Sequence, residues 1–469
     1  MIRFGVDGWR DRYGEGFDES GVAGVSSQIA EQFARQGESG PLFVGYDTRR
    51  DGRRYARIVA DTVAAWGFDV RLSSSHCPLA ALSWATAREP GSAGAIMVTA
   101  GHNGADWNGL KVRASDGNKV PQSFTDAIEN RIGSGSPCEP PASLARGSVD
   151  LTDIVSPYLA DLSTLVDASA IAHAGMTVVH DPLYGASRSY VSRLLSDMDV
   201  DVTEIHGEQA DDFGGVAPNP VEAWSGACAA KVKEVDAWAG FVNGADATRV
   251  CAVDDGGGYV SSDTLAALLL ELLCERHHET GRVVVTAPTS VVVRRQAMRL
   301  GCPVTVVPVG TGWVAAEMAR GDVLLGLQET GGIALPRHLR ERDGILVGLF
   351  MCEMMATSGK RLGALVEELE QQVGHMEYAR RDLELDPGTT QMVRNMLPGI
   401  NPASVGGMTP VAVDHNDGLR LRFEDDAWLL IRPSNTSSKV RVYAEAPDAG
   451  ELERIVEQGC ELVRSDFMA

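Results

Sequence analysis

Short apolar runs alternate with amphipathic stretches through most of the chain. The runs "MIRFGVDGW", "PLFVGYD", "DVRLSS" and "GAIMVTA" predict strands, because each is short and apolar. Residues 22–36 and 53–66 lie between these runs and have the spacing of helices. Strands that alternate with helices predict a mainly parallel sheet that is covered on both faces.

The same alternation recurs twice further along the chain. A cluster of Pro, Gly and Ser at residues 133–143 marks a linker, after which "MTVVHDPLYGASRSYVSRLL" begins a second unit and "RVVVTAP" a third. The segment "GLRLRFEDDAWLLIRPSNTSSKVRVYAEA" alternates as a hairpin does, and the residues after it predict a helix. We therefore expect α/β domains at 1–147, 148–253 and 254–374 and an α+β domain at 375–469.

Composition narrows the class of protein. The 469 residues suit several domains, and a formal charge of -22 argues against a broad basic face for nucleic acid. Eight cysteines without a CxxC pair fit reduced core thiols. No apolar run approaches the ~20 residues needed to cross a bilayer, and the N-terminus lacks the pattern of a signal peptide. We therefore expect a cytoplasmic protein that binds neither nucleic acid nor a membrane.

A polar loop near the C-terminus has the composition of a phosphate site. The stretch "RPSNTSSKVR" supplies guanidinium, hydroxyl and amide groups at Arg432, Ser434, Asn435, Thr436 and Arg441. Guanidinium forks and hydroxyl donors on one loop suit a phosphate dianion. The alternative is an ordinary polar hairpin loop with charged flanks.

Three loops in the first domain follow predicted strands, where open α/β sheets bind their ligands. The first, "FGVDGWR", holds Asp7 and Arg10, and "VGYDTRRDG" repeats the arrangement with another Asp and Arg. The third, "TAGHNGADWNGLK", holds His102, Asn103 and Lys111. The imidazole and the ammonium of this loop are groups that contact phosphate or move a proton.

Taken together, these loops resemble those of the phosphohexomutase superfamily, which comprises phosphoglucomutases, phosphomannomutases and phosphoglucosamine mutases. The family's start pattern Phe-Gly-Thr-Asp-Gly-Ile-Arg appears as "FGVDGWR". Its catalytic loop, Thr-Ala-Ser-His-Asn-Pro with Asn-Gly-Ile-Lys, appears as "TAGHNGADWNGLK", and its phosphate loop, Arg-Pro-Ser-Gly-Thr-Glu-Pro, as "RPSNTSS". The resemblance covers essentially the whole chain. It implies four domains arranged as a heart around one cleft, in a monomer or a homodimer that binds a phosphorylated sugar.

Two of the family's catalytic features are altered. In the family a phosphoserine transfers its phosphoryl group to a hexose phosphate, and Mg2+ is held by that serine and three aspartates. The serine position is Gly101, which has no nucleophilic atom. The metal loop corresponds to "NGADATR", where Arg249 is retained and Gly244, Asp246 and Thr248 stand in place of the aspartates. Because Mg2+ needs several anionic oxygens, we expect no resident Mg2+, and Asp246 is the only retained candidate ligand.

The family's sugar loop, Gly-Glu-x-Ser-Gly-His, is altered as well. It corresponds to "GLQETGG", with Gln328, Thr330 and Gly332 at the glutamate, serine and histidine and with Glu329 one step along. The family's lysine in the third domain falls on Gly312. The substrate-binding positions that we expect are Asp7, Arg10, Gly101, Asn103, Arg249, Gln328, Thr330, Arg432, Ser434, Asn435, Thr436 and Arg441.

Three hypotheses remain open. The first is a repurposed enzyme that isomerises, epimerises or eliminates a sugar phosphate, with His102, Lys111 and Glu329 as proton-transfer groups. His180 and Asp181 of "VVHDPLYGAS" could join them, although a core turn is the favoured interpretation. The second is a phosphosugar-binding protein without catalysis, or a partner subunit of an active mutase. The third is an atypical mutase or phosphatase that uses a bisphosphate directly or accepts the phosphoryl group on its histidine.

Overall fold

The computed structural model describes residues 2, 4–5, 7–134, 138–329, 331–434 and 438–468. In this part of the chain four sheets follow one another in sequence, one for each of four domains. Among the described helices none combines the length and the hydropathy needed to span a bilayer.

The first domain has a sheet of seven strands. They are β1 (Phe4–Gly5), β2 (Gly8–Arg12), β3 (Leu42–Tyr46), β4 (Val70–Ser73), β5 (Gly94–Val98), β6 (Trp107–Ala114) and β7 (Val149–Thr152). The helices are α1 (Glu19–Arg35), α2 (Gly52–Ala65), α3 (Leu79–Arg88) and α4 (Gln122–Gly133). The strand order is β1-β2-β6-β5-β3-β4-β7. The predicted boundary after residue 147 falls too early for this sheet, because β7 pairs with β4.

The second domain has a sheet of five strands. They are β8 (Thr177–Asp181), β9 (Asp201–Glu204), β10 (Ala239–Asn243), β11 (Val250–Asp254) and β12 (Tyr259–Val260), in the order β12-β11-β10-β8-β9. The helices are α5 (Val155–Ser163), α6 (Ala168–His173), α7 (Tyr190–Ser196) and α8 (Gly226–Val235). The predicted boundary after residue 253 falls inside β11, which pairs with β12 through the turn at residues 255–258.

The third domain repeats this arrangement. Its strands are β13 (Arg282–Thr286), β14 (Val304–Val307), β15 (Val323–Gln328), β16 (Gly332–Leu335) and β17 (Leu339–Arg342), in the order β14-β13-β15-β16-β17. Its helices are α9 (Ser262–Glu271), which a π-helical turn extends to Arg276, α10 (Val291–Arg299), α11 (Thr311–Met318), α12 (Gly344–Ser358) and α13 (Leu362–Val373).

The last domain has an antiparallel sheet. Its strands are β18 (Glu377–Glu384), β19 (Ala412–Asp414), β20 (Leu419–Arg422), β21 (Trp428–Pro433) and β22 (Lys439–Ala446), in the order β18-β22-β21-β20-β19. Its helices are α14 (Pro387–Met396) and α15 (Ala449–Met468). The predicted boundary after residue 374 lies between α13 and β18. The α/β and α+β classes are as expected.

The three α/β sheets share one core order, which is β6-β5-β3-β4, β11-β10-β8-β9 and β16-β15-β13-β14. Within each set of four, the third strand in chain order is joined by a hairpin to the fourth, and the two strands run antiparallel. The sheets are therefore mixed rather than mainly parallel. In the first two domains the hairpin loops are residues 99–106 and 244–249, while β15 pairs with β16 in the third domain and β21 with β22 in the last. The candidate chemistry lies in and beside these hairpins.

The packing joins the four domains. One buried apolar cluster runs from α3 and α5 through α12 to α9, so the three α/β domains share a core. The last domain has a core of its own and meets the third domain through Val291, Trp428, Leu430 and Tyr443. The loops of these hairpins are therefore held by strands and helices that pack in the shared core.

Candidate active site

The loop after β5 is held in place by Arg49. Its guanidinium donates to four backbone carbonyls within residues 101–107, over 2.6–2.9 Å. Asp47 Oδ2 lies 3.3 Å from Arg49 Nε, and both side chains are fully buried. Asp47 accepts a 2.5 Å hydrogen bond from the Thr99 hydroxyl, which in turn accepts from the Gly101 N–H. Asp47 and Arg49 therefore shape the loop instead of facing a ligand.

Lys111, on β6, reaches the centre of the site. Its ammonium lies 2.9 Å from Asp7 Oδ2 and 2.7 Å from Asp246 Oδ2. Asp246 also accepts a 2.8 Å hydrogen bond from the Thr248 hydroxyl. A Cβ added to Gly101 would lie 3.6 Å from both Asp246 Oδ2 and Lys111 Nζ. The serine position of the family, the retained aspartate and the lysine therefore meet at one point.

Asp7 is bound by two arginines in addition to the lysine. Arg113 Nη1 lies 3.2 Å from Asp7 Oδ1, and Arg342 Nη2 donates to Asp7 Oδ2 over 3.0 Å. Glu341 lies between the same arginines, 2.6 Å from Arg113 and 2.9 Å from Arg342. Burial opposes ionisation of Asp7, but the neighbouring cations, Arg113 first, outweigh it and hold the pKa of Asp7 well below its ordinary value.

His102 lies among cations that have no carboxylate partner. Arg10 donates to Asn103 Oδ1 over 3.4 Å and Arg249 to Asn219 Oδ1 over 2.8 Å, and within the described residues neither arginine forms an ion pair. The Arg249 guanidinium, followed by burial and by Arg10, lowers the pKa of His102 well below its ordinary 6.5. The imidazole is therefore neutral at neutral pH, beside two arginines that form no ion pair within the described residues.

Glu329 follows β15 and faces the last domain. Its carboxylate accepts hydrogen bonds from the Tyr443 hydroxyl and from Arg380 Nη1, the latter over 3.0 Å, and it lies 3.5 Å from Arg441 Nη1. Gln328, the residue before it, is buried. Glu329 is thus an ion-pair partner between two domains, which leaves it less suited to proton transfer than the sequence alone suggested.

Arg432 is oriented by an aspartate that the sequence analysis did not single out. Its Nε donates to Asp417 Oδ1 over 2.9 Å, and Asp417 Oδ2 accepts from the Val309 N–H over 2.7 Å. Ser434 is buried, and its N–H donates to the Lys439 carbonyl over 2.8 Å. Three further expected site residues lie outside the described part of the chain, namely Thr330, Asn435 and Thr436.

Models of the phosphoglucomutase/phosphomannomutase family match four consecutive parts of the chain. The models for alpha/beta/alpha domains I, II and III match residues 1–137, 156–257 and 261–373, and the model for the C-terminal domain matches residues 400–462. The chain belongs to the phosphoglucomutase/phosphomannomutase family. This bears out the resemblance drawn from the loops and the four-domain architecture that it implied.

Relatives within this family match the chain from end to end. A phosphoglucomutase/phosphomannomutase of Thermococcus kodakarensis is 26% identical over 96% of this chain and 98% of that protein. A phosphoglucosamine mutase of Frankia alni is 29% identical over 94% of each chain. The crystal structure of a putative phosphomannomutase from Thermus thermophilus is 28% identical, with a TM-score of 0.86 over 99% of both chains. The chain is therefore similar to phosphosugar mutases, which are enzymes.

The residues at the family's metal position do not fit a Mg2+ ion. Asp246 is the one carboxylate of the loop, and its oxygens already bind the Lys111 ammonium and the Thr248 hydroxyl. In the described part of the chain no group of three or more His, Cys, Asp or Glu side chains is arranged as metal ligands. A hard divalent cation needs several anionic oxygens. The loop offers a single carboxylate, Asp246, and that carboxylate is already paired with Lys111.

His180 and Asp181 lie in the core of the second domain. His180 Nδ1 is 3.0 Å from Glu204 Oε2 and its Nε2 is 3.1 Å from Asn243 Oδ1. Asp181 accepts from the Leu183 N–H over 2.8 Å and is fully buried. These contacts favour the structural interpretation of the pair.

Sequence reasoning missed Arg113, Glu341, Arg342 and Asp417. One signal was available for Arg113, since it lies two residues after Lys111 on a strand and therefore on the same face. The other three carry no local signal, because their roles depend on contacts between domains. The expected residues that the fold brings together at the centre are Asp7, Arg10, Gly101, His102, Asn103, Lys111, Asp246 and Arg249, and Glu329 with Arg441 forms a second group.

Proposed function

We propose that the protein binds a phosphorylated sugar between two groups of arginines at the two ends of one cleft. At one end are Arg432 and Arg441, and at the other are Arg10, His102 and Arg249. The observation that carries the proposal is a pair of buried guanidinium nitrogens, Arg10 Nε and Arg441 Nε, that have no hydrogen-bond partner within the described residues. Phosphate oxygens are the acceptors that suit such donors.

Glu329 acts on arginines of both groups. Burial first, and then Arg342, lowers the pKa of Arg249 to about 9, while the carboxylates of Asp246 and Glu329 oppose that shift. Glu329 in turn lies 3.5 Å from Arg441. The mutase relatives support a phosphosugar as the ligand, because phosphoglucosamine mutases and a phosphoglucomutase/phosphomannomutase match nearly the whole chain.

The chemistry that we propose does not pass a phosphoryl group through residue 101, because glycine offers no nucleophile. His102 is the proton-transfer candidate, since it is neutral and, within the described residues, its ring has no hydrogen-bond partner. Lys111 and Glu329 are engaged in ion pairs, so their expected roles are electrostatic. This supports isomerisation, epimerisation or elimination of the bound sugar phosphate.

A second candidate function is binding without catalysis, as a phosphosugar-binding protein or a partner subunit of an active mutase. The ion pairs of Lys111 and Glu329 favour it, because they leave a single titratable group for acid/base chemistry.

Nuclear magnetic resonance separates these functions. The protein is incubated with glucose 1-phosphate, mannose 1-phosphate and their 6-phosphates, and the phosphorus and carbon resonances are followed. Changes at the sugar carbons with the phosphate in place support the acid/base enzyme. Shifted resonances without chemistry support the binding protein. Transfer of phosphorus between O1 and O6 contradicts the loss of the mutase reaction.

Paired arginine variants test the phosphate end. Arg432→Ala should weaken binding about tenfold or more, because hydrogen bonds to a charged group are worth ~1.5–3 kcal/mol. Arg422→Ala, an exposed arginine on the neighbouring strand, is the matched control and should leave binding unchanged. Equal affinities for the two variants would contradict the assignment of this loop as a phosphate-binding site.

A further inference from the structure

Six charged side chains form a buried cluster at the meeting point of the first three domains. All six side chains are at most 7% exposed: Asp7, Lys111, Arg113, Asp246, Glu341 and Arg342. Three are cations and three are anions, so their charges sum to zero. Each acid lies within 3.2 Å of at least one cation. Arg10 and Arg249 lie outside these six and, within the described residues, form no ion pair, and both act on His102.

Lys111 lies where a bound cation would be needed. Its ammonium is 2.7 Å from the retained aspartate of the metal loop, Asp246, and 3.6 Å from the Cβ position of residue 101. A lysine ammonium is a compact point charge. It can therefore neutralise the carboxylate that a divalent ion would otherwise neutralise.

Arg342, on β17 of the third domain, reaches the same cluster. Its side chain passes over the Cα of Gly332 on the way. A Cβ built on Gly332 would lie 2.3 Å from Arg342 Cδ and 2.9 Å from Arg342 Cγ. Those distances leave no room for a Cβ at position 332 unless the Arg342 side chain moves from its present position beside Asp7. The glycine at the family's histidine position and the arginine ten residues later are therefore sterically linked.

We propose that Lys111 and Arg342 are the permanent cations of this site, which binds its phosphorylated ligand without a divalent metal ion, and that Arg342 can serve only because residue 332 is glycine. The inference rests on the proposed phosphosugar binding. With the cluster neutral, Arg10 and Arg249 supply two positive charges, which match one phosphate dianion. Loss of either permanent cation would leave the six-residue cluster with one excess negative charge, which would cancel half of that positive charge.

Calorimetric titration separates this inference from the function on which it rests. Glucose 1-phosphate and glucose 1,6-bisphosphate are titrated into the full-length protein, once in excess EDTA and once in excess Mg2+. Equal affinities in the two buffers support the inference. Affinity that appears only with Mg2+ overturns it and leaves phosphosugar binding intact. Absence of binding in both buffers contradicts the proposed function and, with it, this inference.

Mn2+ provides a direct probe of the metal position. Electron paramagnetic resonance of Mn2+ mixed with the wild-type protein should show only the free ion. A stoichiometric Mn2+ site that Asp246→Asn abolishes would overturn the inference.

A double-variant cycle tests the link between residues 332 and 342. In excess EDTA, Gly332→Ala and Arg342→Met should each weaken phosphosugar binding roughly tenfold, and the double variant should bind no more weakly than Arg342→Met alone. Arg342→Lys should retain most of the affinity, which a purely structural role would not require. Gly226→Ala is the control, because Gly226 is exposed and a Cβ there meets nothing within 4 Å.

Additive losses in the cycle would overturn the steric link, and full affinity in Arg342→Met would overturn the charge role. If Arg342→Met fails to fold, the pair Gly332→Ala and Gly332→Ala/Arg342→Lys replaces it, with the same expectation of no further loss. Each readout is an affinity, so a change confined to thermal stability does not count as support.

Discussion

Gly101 shows how much a single residue can change without disturbing its surroundings. Its φ of 59° lies in the left-handed region, yet a Cβ there would approach no atom closer than 3.6 Å. There is therefore room for a Cβ at residue 101. What the site lacks is the set of carboxylates that would hold a metal ion beside it. Asp246, which would help to hold a metal beside that serine, is paired with Lys111 at 2.7 Å.

We predict that Gly101→Ser folds but does not regain phosphoryl transfer. The left-handed backbone should cost ~1–2 kcal/mol of stability, measured by denaturant unfolding, and intact-protein mass spectrometry after incubation with glucose 1,6-bisphosphate should show no phosphoprotein. Gly37→Ser is the control for the backbone cost, because Gly37 has φ of 83° and open space. Phosphorylation of the Gly101→Ser variant at the introduced hydroxyl would show that the metal-position residues suffice as they stand.

His102 gives a pH prediction. Its pKa is lowered in the folded protein, chiefly by Arg249, whereas an unfolded histidine takes up a proton near 6.5. As the pH falls below 6.5, the unfolded state gains a proton that the native state does not hold. The free energy of unfolding of the wild type should therefore fall relative to that of His102→Gln.

Urea unfolding from pH 7 to pH 5 measures this difference. His173→Gln, at an exposed histidine, is the control and should run parallel to the wild type. Parallel curves for His102→Gln as well would contradict the electrostatic picture of this end of the site.

Residues of the candidate site could be predicted from the sequence where they belong to a short, recognisable motif. The Asp7 and Lys111 motifs could be recognised one loop at a time, and the fold brings them to 2.9 Å of each other. Arg342 could not be recognised, because its partner Asp7 is 335 positions away and its path depends on Gly332. Glu329 was assigned a proton-transfer role that its ion pairs make less suitable.

At the scale of elements, the candidate site is a set of hairpin loops. Apolar periodicity identified strands and helices of the first domain, including β3, β4 and β5, within a few residues. The alternation of strands with helices favoured a mainly parallel sheet, although a short turn between two strands is too short for a crossover and requires a hairpin. The antiparallel returns could therefore have been predicted from loop length, and they bring Gly101 and Asp246 of the first two domains to one point.

The first of these loops depends on Arg49. We predict that Arg49→Met costs about 3–5 kcal/mol of stability, because it leaves buried Asp47 uncompensated and four carbonyls of residues 101–107 without their donor. Hydrogen exchange should become faster in that loop, and phosphosugar binding should be lost with it.

Arg50→Met is the control for this element. Arg50 is exposed and stacks on Tyr13 with 4.5 Å to the ring centroid, so its loss should cost ~1 kcal/mol or less. Similar losses for Arg49→Met and Arg50→Met would show that the loop does not depend on the buried guanidinium.

At the scale of the whole molecule, the last domain is joined to the third by buried acids. Glu445 accepts hydrogen bonds from Val291 N–H over 2.9 Å and Trp428 Nε1 over 2.6 Å, and it also accepts from the Ser290 hydroxyl. Asp263 accepts from the Ser290 N–H over 2.7 Å. Burial raises the pKa of Asp263 to about 7, and nearby Glu445 adds to the effect.

Because of Asp263, this contact between the third and last domains should make the free energy of unfolding depend on pH. Folded Asp263 keeps a proton up to about pH 7, whereas the unfolded residue loses it near pH 4. The stabilisation is therefore present below about pH 4 and is lost as the pH rises to 7, by up to about 4 kcal/mol at 1.36 kcal/mol per pKa unit. The wild type should lose stability relative to Asp263→Asn over that range, measured by urea unfolding. Asp201→Asn, at an exposed aspartate, should show no such trend.

The central claim is that the molecule binds a phosphosugar without transferring its phosphate. Phosphorus resonance of glucose 1-phosphate, titrated with the protein in EDTA, tests it most directly. The phosphate signal should shift and broaden, Arg432→Ala should abolish that change, and no glucose 6-phosphate signal should appear. Growth of a glucose 6-phosphate signal, or a phosphate resonance that the protein leaves unchanged, would contradict the claim.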